Sequence, residues 1–157
     1  MLTAPTGSGK SLLFQLPAIY LGKEYNLLTI VVSPLKALIV DQVESLQELG
    51  YARVAYASSD LSPEQKMEVY RQVREGEIDL FYLSPELLLS YDIKHFVGER
   101  RIGLVVVDEA HTVTTWGKEF RVDYWFLGRY LTALKQTLGY NFPLFASVSY
   151  THLRAHE

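Results

Sequence analysis

Cysteine is absent from the 157-residue chain, and no apolar run is long enough to cross a bilayer. The lack of cysteine excludes disulfides, thiolate metal sites and cysteine nucleophiles. The start of the chain also lacks the charged-then-apolar pattern of a secretion leader, so the expected location is cytoplasmic. Basic residues are not in excess, because the formal net charge is −3. Any contact with nucleic acid is therefore expected to be local.

A phosphate-binding loop opens the chain. Its sequence is Ala4-Pro5-Thr6-Gly7-Ser8-Gly9-Lys10-Ser11. Glycines allow successive backbone amides to face one concavity, and Lys10 supplies a positive charge for the outer phosphates. The Ser11 hydroxyl is a natural Mg²⁺ ligand, and the helix that begins near Gly9 adds its positive dipole end. The alternative is a Gly/Ser turn that merely caps a helix.

Apolar patterning along the rest of the chain predicts strands that alternate with helices. The predicted strands are 27–32, 53–56, 80–83, 103–107 and 144–146, and the predicted helices include 10–20, 35–49 and 127–138. Ser62 and Pro63 are expected to start a further helix, with Gln65 completing a capping box. This alternation favours an α/β fold with a mainly parallel sheet covered on both faces.

The same periodicity predicts which side of two helices is buried against the core. In the first helix the predicted buried residues are Leu12, Leu13, Leu16 and Ile19. In the helix that begins at Pro63 they are Met67, Tyr70 and Val73.

Two adjacent acids follow the Val-Val-Val strand at Asp108 and Glu109. Ligands of parallel sheets gather at the carboxyl ends of the strands, so these acids are expected near the phosphate loop. Asp108 is the candidate outer ligand of Mg²⁺, and Glu109 is placed to orient or deprotonate the attacking water. The alternative is a turn-capping role. His111 lacks the paired spacing of a zinc site and is disfavoured as a metal ligand.

Five ordered motifs resemble those of RecQ-type DNA helicases of superfamily 2. They are Ala4–Ser11, the segment Phe14–Ala18 after it, Val32–Leu38 with Asp41-Gln42-Val43, Tyr82–Glu86, and Asp108–His111 followed by Trp116–Tyr124. The resemblance implies the first RecA-like lobe of an ATP-driven, 3′-to-5′ DNA-unwinding motor. It implies three layers, with ATP and Mg²⁺ bound by Thr6, Gly7, Ser8, Gly9, Lys10, Ser11 and Asp108. Lys10, Asp108 and Glu109 would be catalytic, and His111 would couple the sites.

The partner implied by this resemblance is single-stranded or forked DNA. The candidate contacts are Ser33, Pro34, Lys36, Ser84, Trp116, Phe120 and Arg121. Backbone amides at strand ends can hold phosphates, and aromatic side chains can stack on unpaired bases. The alternative for the two aromatic residues is that they cover the core.

We expect residues 1–147 to form this lobe with its first strand truncated, and we interpret 148–157 as a foreign tail. A second RecA-like lobe that carries arginine fingers is an expected missing partner, so the chain alone is expected to hydrolyse ATP poorly and unwind nothing. The alternatives are a non-catalytic nucleotide- or nucleic-acid-binding lobe and another phosphate-loop enzyme such as a small-molecule kinase.

Overall fold

A computed structural model describes residues 8–33, 36–108 and 129–147. The helices are α1 (Ser8–Tyr25), α2 (Lys36–Glu48), α3 (Pro63–Arg74), α4 (Pro85–Ser90) and α5 (Ile93–Val97). Residues 129–138 are also helical and are called α6. The strands are β1 (Leu28–Val32), β2 (Val54–Ala57), β3 (Leu80–Leu83), β4 (Ile102–Asp108) and β5 (Leu144–Ser147).

The five strands form one sheet in the order β2-β3-β1-β4-β5, and every neighbouring pair is parallel. The register aligns the carboxyl ends, because Val32 of β1 pairs with both Leu83 of β3 and Val107 of β4. The predicted α/β fold with a parallel sheet is confirmed. Buried parallel strands read as continuous apolar runs, which is why their positions were visible in the sequence.

Apolar cores lie on both faces of the sheet and give the fold three layers. One core packs α3, α4, α5 and α6 against side chains such as Ile30, Phe81 and Val105. The other packs α1 and α2 against side chains such as Val31, Leu80 and Val106. Adjacent strand residues therefore point to opposite cores, as the pleat of a strand requires.

The start of α3 agrees with the prediction in detail. The Ser62 hydroxyl accepts a hydrogen bond from the Gln65 backbone N–H at 3.1 Å, and the Gln65 side chain accepts one from the Ser62 N–H at 2.9 Å. Tyr70 and Val73 are buried in the core as expected. Met67 is 52% exposed, so its predicted place in the inner face is wrong. The side of α3 that packs on the sheet is therefore narrower than its apolar spacing suggests.

The predicted inner face of α1 is also wrong in part. Leu13 and Leu16 are 49% and 61% exposed, whereas Phe14, Gln15 and Ala18 are buried. Apolar residues occur on several sides of this helix, so periodicity did not identify the side that faces the sheet. The side chain of Leu12 lies outside the described residues, and Ile19 is half-buried.

An ionic network around the buried Asp79 closes the amino edge of the sheet, where β3 and β4 begin. The Arg100 guanidinium donates to the backbone carbonyls of Val73 and Ile78 at 2.9 and 2.7 Å and to Asp79 Oδ1 at 2.6 Å. Arg53 Nε donates to the other carboxylate oxygen of Asp79 at 2.7 Å. Each of these oxygen acceptors thus receives a hydrogen bond from a guanidinium group. These bonds compensate for the burial of the Asp79 and Arg100 charges.

Candidate nucleotide and nucleic-acid site

The candidate site lies at the carboxyl edge of the sheet, opposite the Arg100 network. Ser33 follows β1, Ser84 follows β3, and Asp108 ends β4. The register brings these strand ends side by side, and the Ser33 N–H donates to the Leu83 carbonyl at 3.0 Å. Asp108 pairs with Ser147 of β5 through the backbone ladder. The ends of β1, β3 and β4, which are far apart in sequence, therefore meet at one edge of the sheet.

The phosphate-loop sequence runs into α1. This helix begins at Ser8, so the backbones of Gly9, Lys10 and Ser11 lie in its first turn. A first turn leaves its backbone N–H groups without intrahelical acceptors, which makes it suited to anions. The side chains of residues 8–12 and the whole of Thr6 and Gly7 lie outside the described residues. The structure thus describes this motif only as the backbone of the first turn of a helix.

Ser84 has a structural task at this edge. Its hydroxyl accepts a hydrogen bond from the Leu87 N–H at 3.3 Å and caps α4. Pro85 occupies the first helical position, where its missing N–H costs nothing. The cap fixes the direction in which the chain leaves β3, and it leaves the Ser84 side chain half-buried.

The other candidate nucleic-acid residues differ in exposure. Ser33 is buried, with 1% of its surface exposed. Lys36, at the start of α2, is exposed and forms an ion pair with Asp60. Pro34 lies outside the described residues, as do Trp116, Phe120 and Arg121. Lys36 is therefore the exposed cation that the described part of the chain places beside the β1 end.

The acidic motif is described only up to the end of β4. The Asp108 backbone completes the strand, whereas its side chain, Glu109 and His111 lie outside the described residues. Among the described side chains, no cluster of three or more His, Asp or Glu residues could hold a metal ion. In the same part of the chain, no helix is both long and apolar enough to cross a membrane.

A buried polar chain beneath this edge was not anticipated from the sequence. Gln15 Nε2 of α1 donates to the Tyr82 hydroxyl of β3 at 3.1 Å, and that hydroxyl donates to Gln42 Oε1 of α2 at 2.7 Å. The sequence feature that could have indicated it is the presence of a glutamine, Gln15 or Gln42, on the core-facing side of each of two helices. Their common partner is 67 residues from Gln15 and 40 from Gln42, so only the fold could reveal it.

A parallel sheet with polar motifs at its carboxyl edge is typical of nucleotide-binding proteins. Residues 1–140 match the family described as DEAD/DEAH box helicase. This match covers most of the chain, and the chain therefore belongs to the DEAD/DEAH box helicase family.

Within this family the chain is similar to RecQ proteins. The ATP-dependent DNA helicase RecQ of Synechocystis sp. is 41% identical over 141 residues, which are 88% of this chain and 28% of that relative. The RecQ of Bacillus subtilis is 39% identical over 120 residues, which are 76% of this chain and 20% of that relative. The chain thus spans between a fifth and just over a quarter of the length of these relatives.

Solved helicase structures share the fold. The DUF1998 helicase MrfA, in its crystal structure bound to DNA, matches with a TM-score of 0.67 at 24% identity, over 92% of this chain and 21% of that one. A hypothetical ATP-dependent RNA helicase from Sulfolobus tokodaii matches with a TM-score of 0.65 at 21% identity, over 97% of this chain and 42% of that one. These similarities confirm the predicted RecA-like fold.

Proposed function

We propose that this chain is the ATP-binding motor lobe of a RecQ-like DNA helicase. The observation that carries the proposal is the meeting of three features at one sheet edge. The start of α1 lies at this edge, because Gln15 contacts Tyr82 near the end of β3 whereas Gly22, further along α1, lies against Asp79 just before β3. Lys10 and Ser11 are in the first turn of α1, β4 ends at Asp108, and the ends of β1 and β3 lead into Ser33 and Ser84. A nucleotide and a DNA strand bound at this edge would therefore share the same structural elements.

In this proposal residues 6–11 hold the phosphates of ATP, and Lys10 contributes positive charge to the outer ones. Ser11 and Asp108 are the residues that would hold Mg²⁺, which supplies charge neutralisation for phosphoryl transfer when it is bound. Glu109 orients the attacking water or takes its proton. His111 couples the nucleotide site to the nucleic-acid site.

The nucleic-acid contacts proposed for this edge surround the ends of β1 and β3. Lys36 is exposed there, and its ion pair with Asp60 is of the surface type that contributes little to stability. A DNA phosphate can therefore replace Asp60 as its partner at small cost. Buried Ser33 fixes the exit from β1 toward Pro34, and Ser84 directs the exit from β3. Trp116, Phe120 and Arg121 are proposed to stack on bases and contact a phosphate.

Translocation along DNA with 3′-to-5′ polarity requires a second RecA-like lobe in this proposal. Phosphoryl transfer in such motors gains several powers of ten from an arginine supplied across the nucleotide. We therefore propose that this chain by itself binds Mg-ATP and DNA, with slow hydrolysis and without unwinding.

The decisive variant for the proposed function is Lys10→Ala. Loss of a charge-assisted contact to phosphate should weaken Mg-ATP binding about 10- to 100-fold, measured by titration with a fluorescent ATP analogue. Lys23→Ala is the matched control, because Lys23 lies in the last turn of the same helix and is exposed. Equal affinities of Lys10→Ala and the unmodified chain would contradict the proposal.

A small-molecule kinase is the competing phosphate-loop enzyme, and a survey of phosphate acceptors separates the two. Transfer of the γ-phosphate to a metabolite would favour the kinase. Binding of oligonucleotide that depends on nucleotide would favour the motor lobe.

A further inference from the structure

The buried chain Gln15–Tyr82–Gln42 joins three separate elements within one core. Tyr82 lies on β3, between β2 and β1, and is fully buried, while Gln15 and Gln42 are 6% and 9% exposed. The Tyr82 hydroxyl accepts from one helix and donates to the other. We call these three side chains the relay.

The relay lies in a core that consists mainly of apolar side chains. The same core contains side chains such as Phe14, Val31, Ile39 and Leu104. Polar groups in an apolar core are costly unless they are satisfied, and apolar replacements of similar volume are often at least as stable. Stability alone therefore gives little reason for two glutamines and a tyrosine hydroxyl at this place.

The three elements lead to the ligand edge from different directions. Gln15 is one helical turn beyond Ser11 in α1, Tyr82 is two residues before Ser84, and Gln42 lies in α2, whose first residue is Lys36. The Tyr82 hydroxyl thus joins the helix on the nucleotide side by hydrogen bonds to β3 and to α2, the elements next to the two nucleic-acid strand ends.

We propose that Gln15, Tyr82 and Gln42 are positioning residues that couple nucleotide binding at α1 to nucleic-acid binding at the ends of β1 and β3. This inference rests on the proposed function and names the hydrogen bonds that would connect its two binding sites. Hydrogen bonds tolerate only small changes in distance and angle. A shift of α1 on phosphate binding therefore either moves Tyr82 and α2 with it or breaks the relay.

The opposite face of the sheet provides a matched control. Tyr70 is also a buried tyrosine, and its hydroxyl has no hydrogen-bond partner among the described residues. Tyr82→Phe and Tyr70→Phe remove the same single oxygen from the two cores. Only the first of these changes removes the bonds that link α1, β3 and α2.

The test measures coupling rather than affinity alone. The dissociation constant of a fluorescein-labelled oligo-dT is determined by fluorescence anisotropy for the full chain, with and without saturating Mg-AMPPNP. For the unmodified chain we expect the two constants to differ about 5- to 100-fold, which is the usual range of coupling between sites. In Tyr82→Phe this ratio should fall to within about twofold of one, and in Tyr70→Phe it should be unchanged.

Gln15→Met is the second variant, because it has similar volume and keeps the Tyr82–Gln42 bond. It should lose the coupling as well, since α1 is then detached from the relay. A cooperative thermal unfolding curve is used to establish that Gln15→Met is folded, and Tyr82→Phe is checked in the same way. If Tyr82→Phe fails to fold, Gln15→Met decides the question alone.

The possible failures are distinguishable. Full coupling in folded Tyr82→Phe or Gln15→Met overturns the relay and leaves the proposed function intact. Absence of binding of either ligand to the unmodified chain overturns the proposed function itself. Binding of both ligands with a ratio of one overturns the relay, because there is then no coupling for it to transmit.

Discussion

The two edges of the sheet are built in opposite ways. At the amino edge Asp79 pairs with two arginines, and the Arg100 and Asp79 side chains are 5% and 3% exposed, whereas Arg53 is 47% exposed. At the carboxyl edge the ion pair of Lys36 with Asp60 is about half exposed. The amino edge thus contains a buried ion pair, whereas the ion pair at the carboxyl edge is exposed.

This difference assigns stability and ligand binding to different ends of the same strands. A buried network is expensive to break, because each remaining charge has lost its partner. An exposed pair is cheap to exchange, because water and salt already weaken it. A ligand site needs groups that can change partners, and a sheet can offer such groups at one edge when the other edge is firmly fixed.

Removal of the Arg100 guanidinium should have the largest effect on stability. Arg100→Met leaves Asp79 with Arg53 alone and frees the carbonyls of Val73 and Ile78, so the free energy of unfolding should fall by about 3–5 kcal/mol. Urea-induced unfolding measures this change.

The control for this change is Arg101→Met. The Arg101 guanidinium is exposed and lies 4.2 Å from the centre of the Tyr140 ring. Its loss should cost about 1 kcal/mol or less. Similar losses for the two arginine variants would remove the contrast between the edges.

Gly22→Ala should have an intermediate effect that sharpens the comparison. Gly22 lies in α1, and an added Cβ would be 2.6 Å from the Cβ of Asp79. Alanine is the better helix former by about 1 kcal/mol, yet this overlap should cost about 1–3 kcal/mol and dominate. The melting temperature of Gly22→Ala measures this change, and Lys23→Ala, at an exposed position of the same helix, is the control. A variant more stable than the unmodified chain would mean that the amino edge is loosely packed.

The smallest expected effect is a pH dependence at Tyr51. Burial, with a further contribution from the Asp79 charge, raises the pKa of Tyr51 to about 12 from its ordinary value of 10.0. Between these pH values the unfolded chain has lost a proton that the folded chain keeps. This contribution to stability is therefore complete below pH ~10 and is lost as the pH rises toward ~12.

In Tyr51→Phe the free energy of unfolding should fall less steeply with pH above pH ~10. Some decline should remain, since burial also raises the pKa of Tyr70 and Tyr130. Urea midpoints at about pH 9, 10 and 11 give the slopes for both proteins. Identical slopes would show that Tyr51 titrates alike in the folded and unfolded chains.

Local sequence signals predicted much of this fold. The capping box at Ser62 and Gln65 involves residues three apart, and the strands 27–32 and 80–83 are apolar runs that are each followed by Ser-Pro. The prediction that failed at Leu13, Leu16 and Met67 concerned which side of a helix is buried. That depends on what packs against the helix, and apolar spacing alone does not contain it.

The candidate site divides in the same way. The phosphate loop, the acids after β4 and the strand-end serines are local motifs, and the rule that parallel strands end at one edge is enough to predict that they lie together. Their assigned chemical roles are still predictions. The Arg100 network and the relay were not foreseen, because their members are distant in sequence and belong to no local pattern.

The class of fold, the positions of the five strands and the sheet edge that carries the motifs could be predicted from the sequence, since these follow from periodicity and turn chemistry within a few residues. The short helix α5 (Ile93–Val97) was not predicted. The tertiary structure decided which helix faces are buried, how Arg100 reaches Asp79, and that Gln15 and Gln42 share the Tyr82 hydroxyl. The physical reason is that burial and hydrogen-bond partners depend on contacts between distant segments, and these exist only once the sheet has formed.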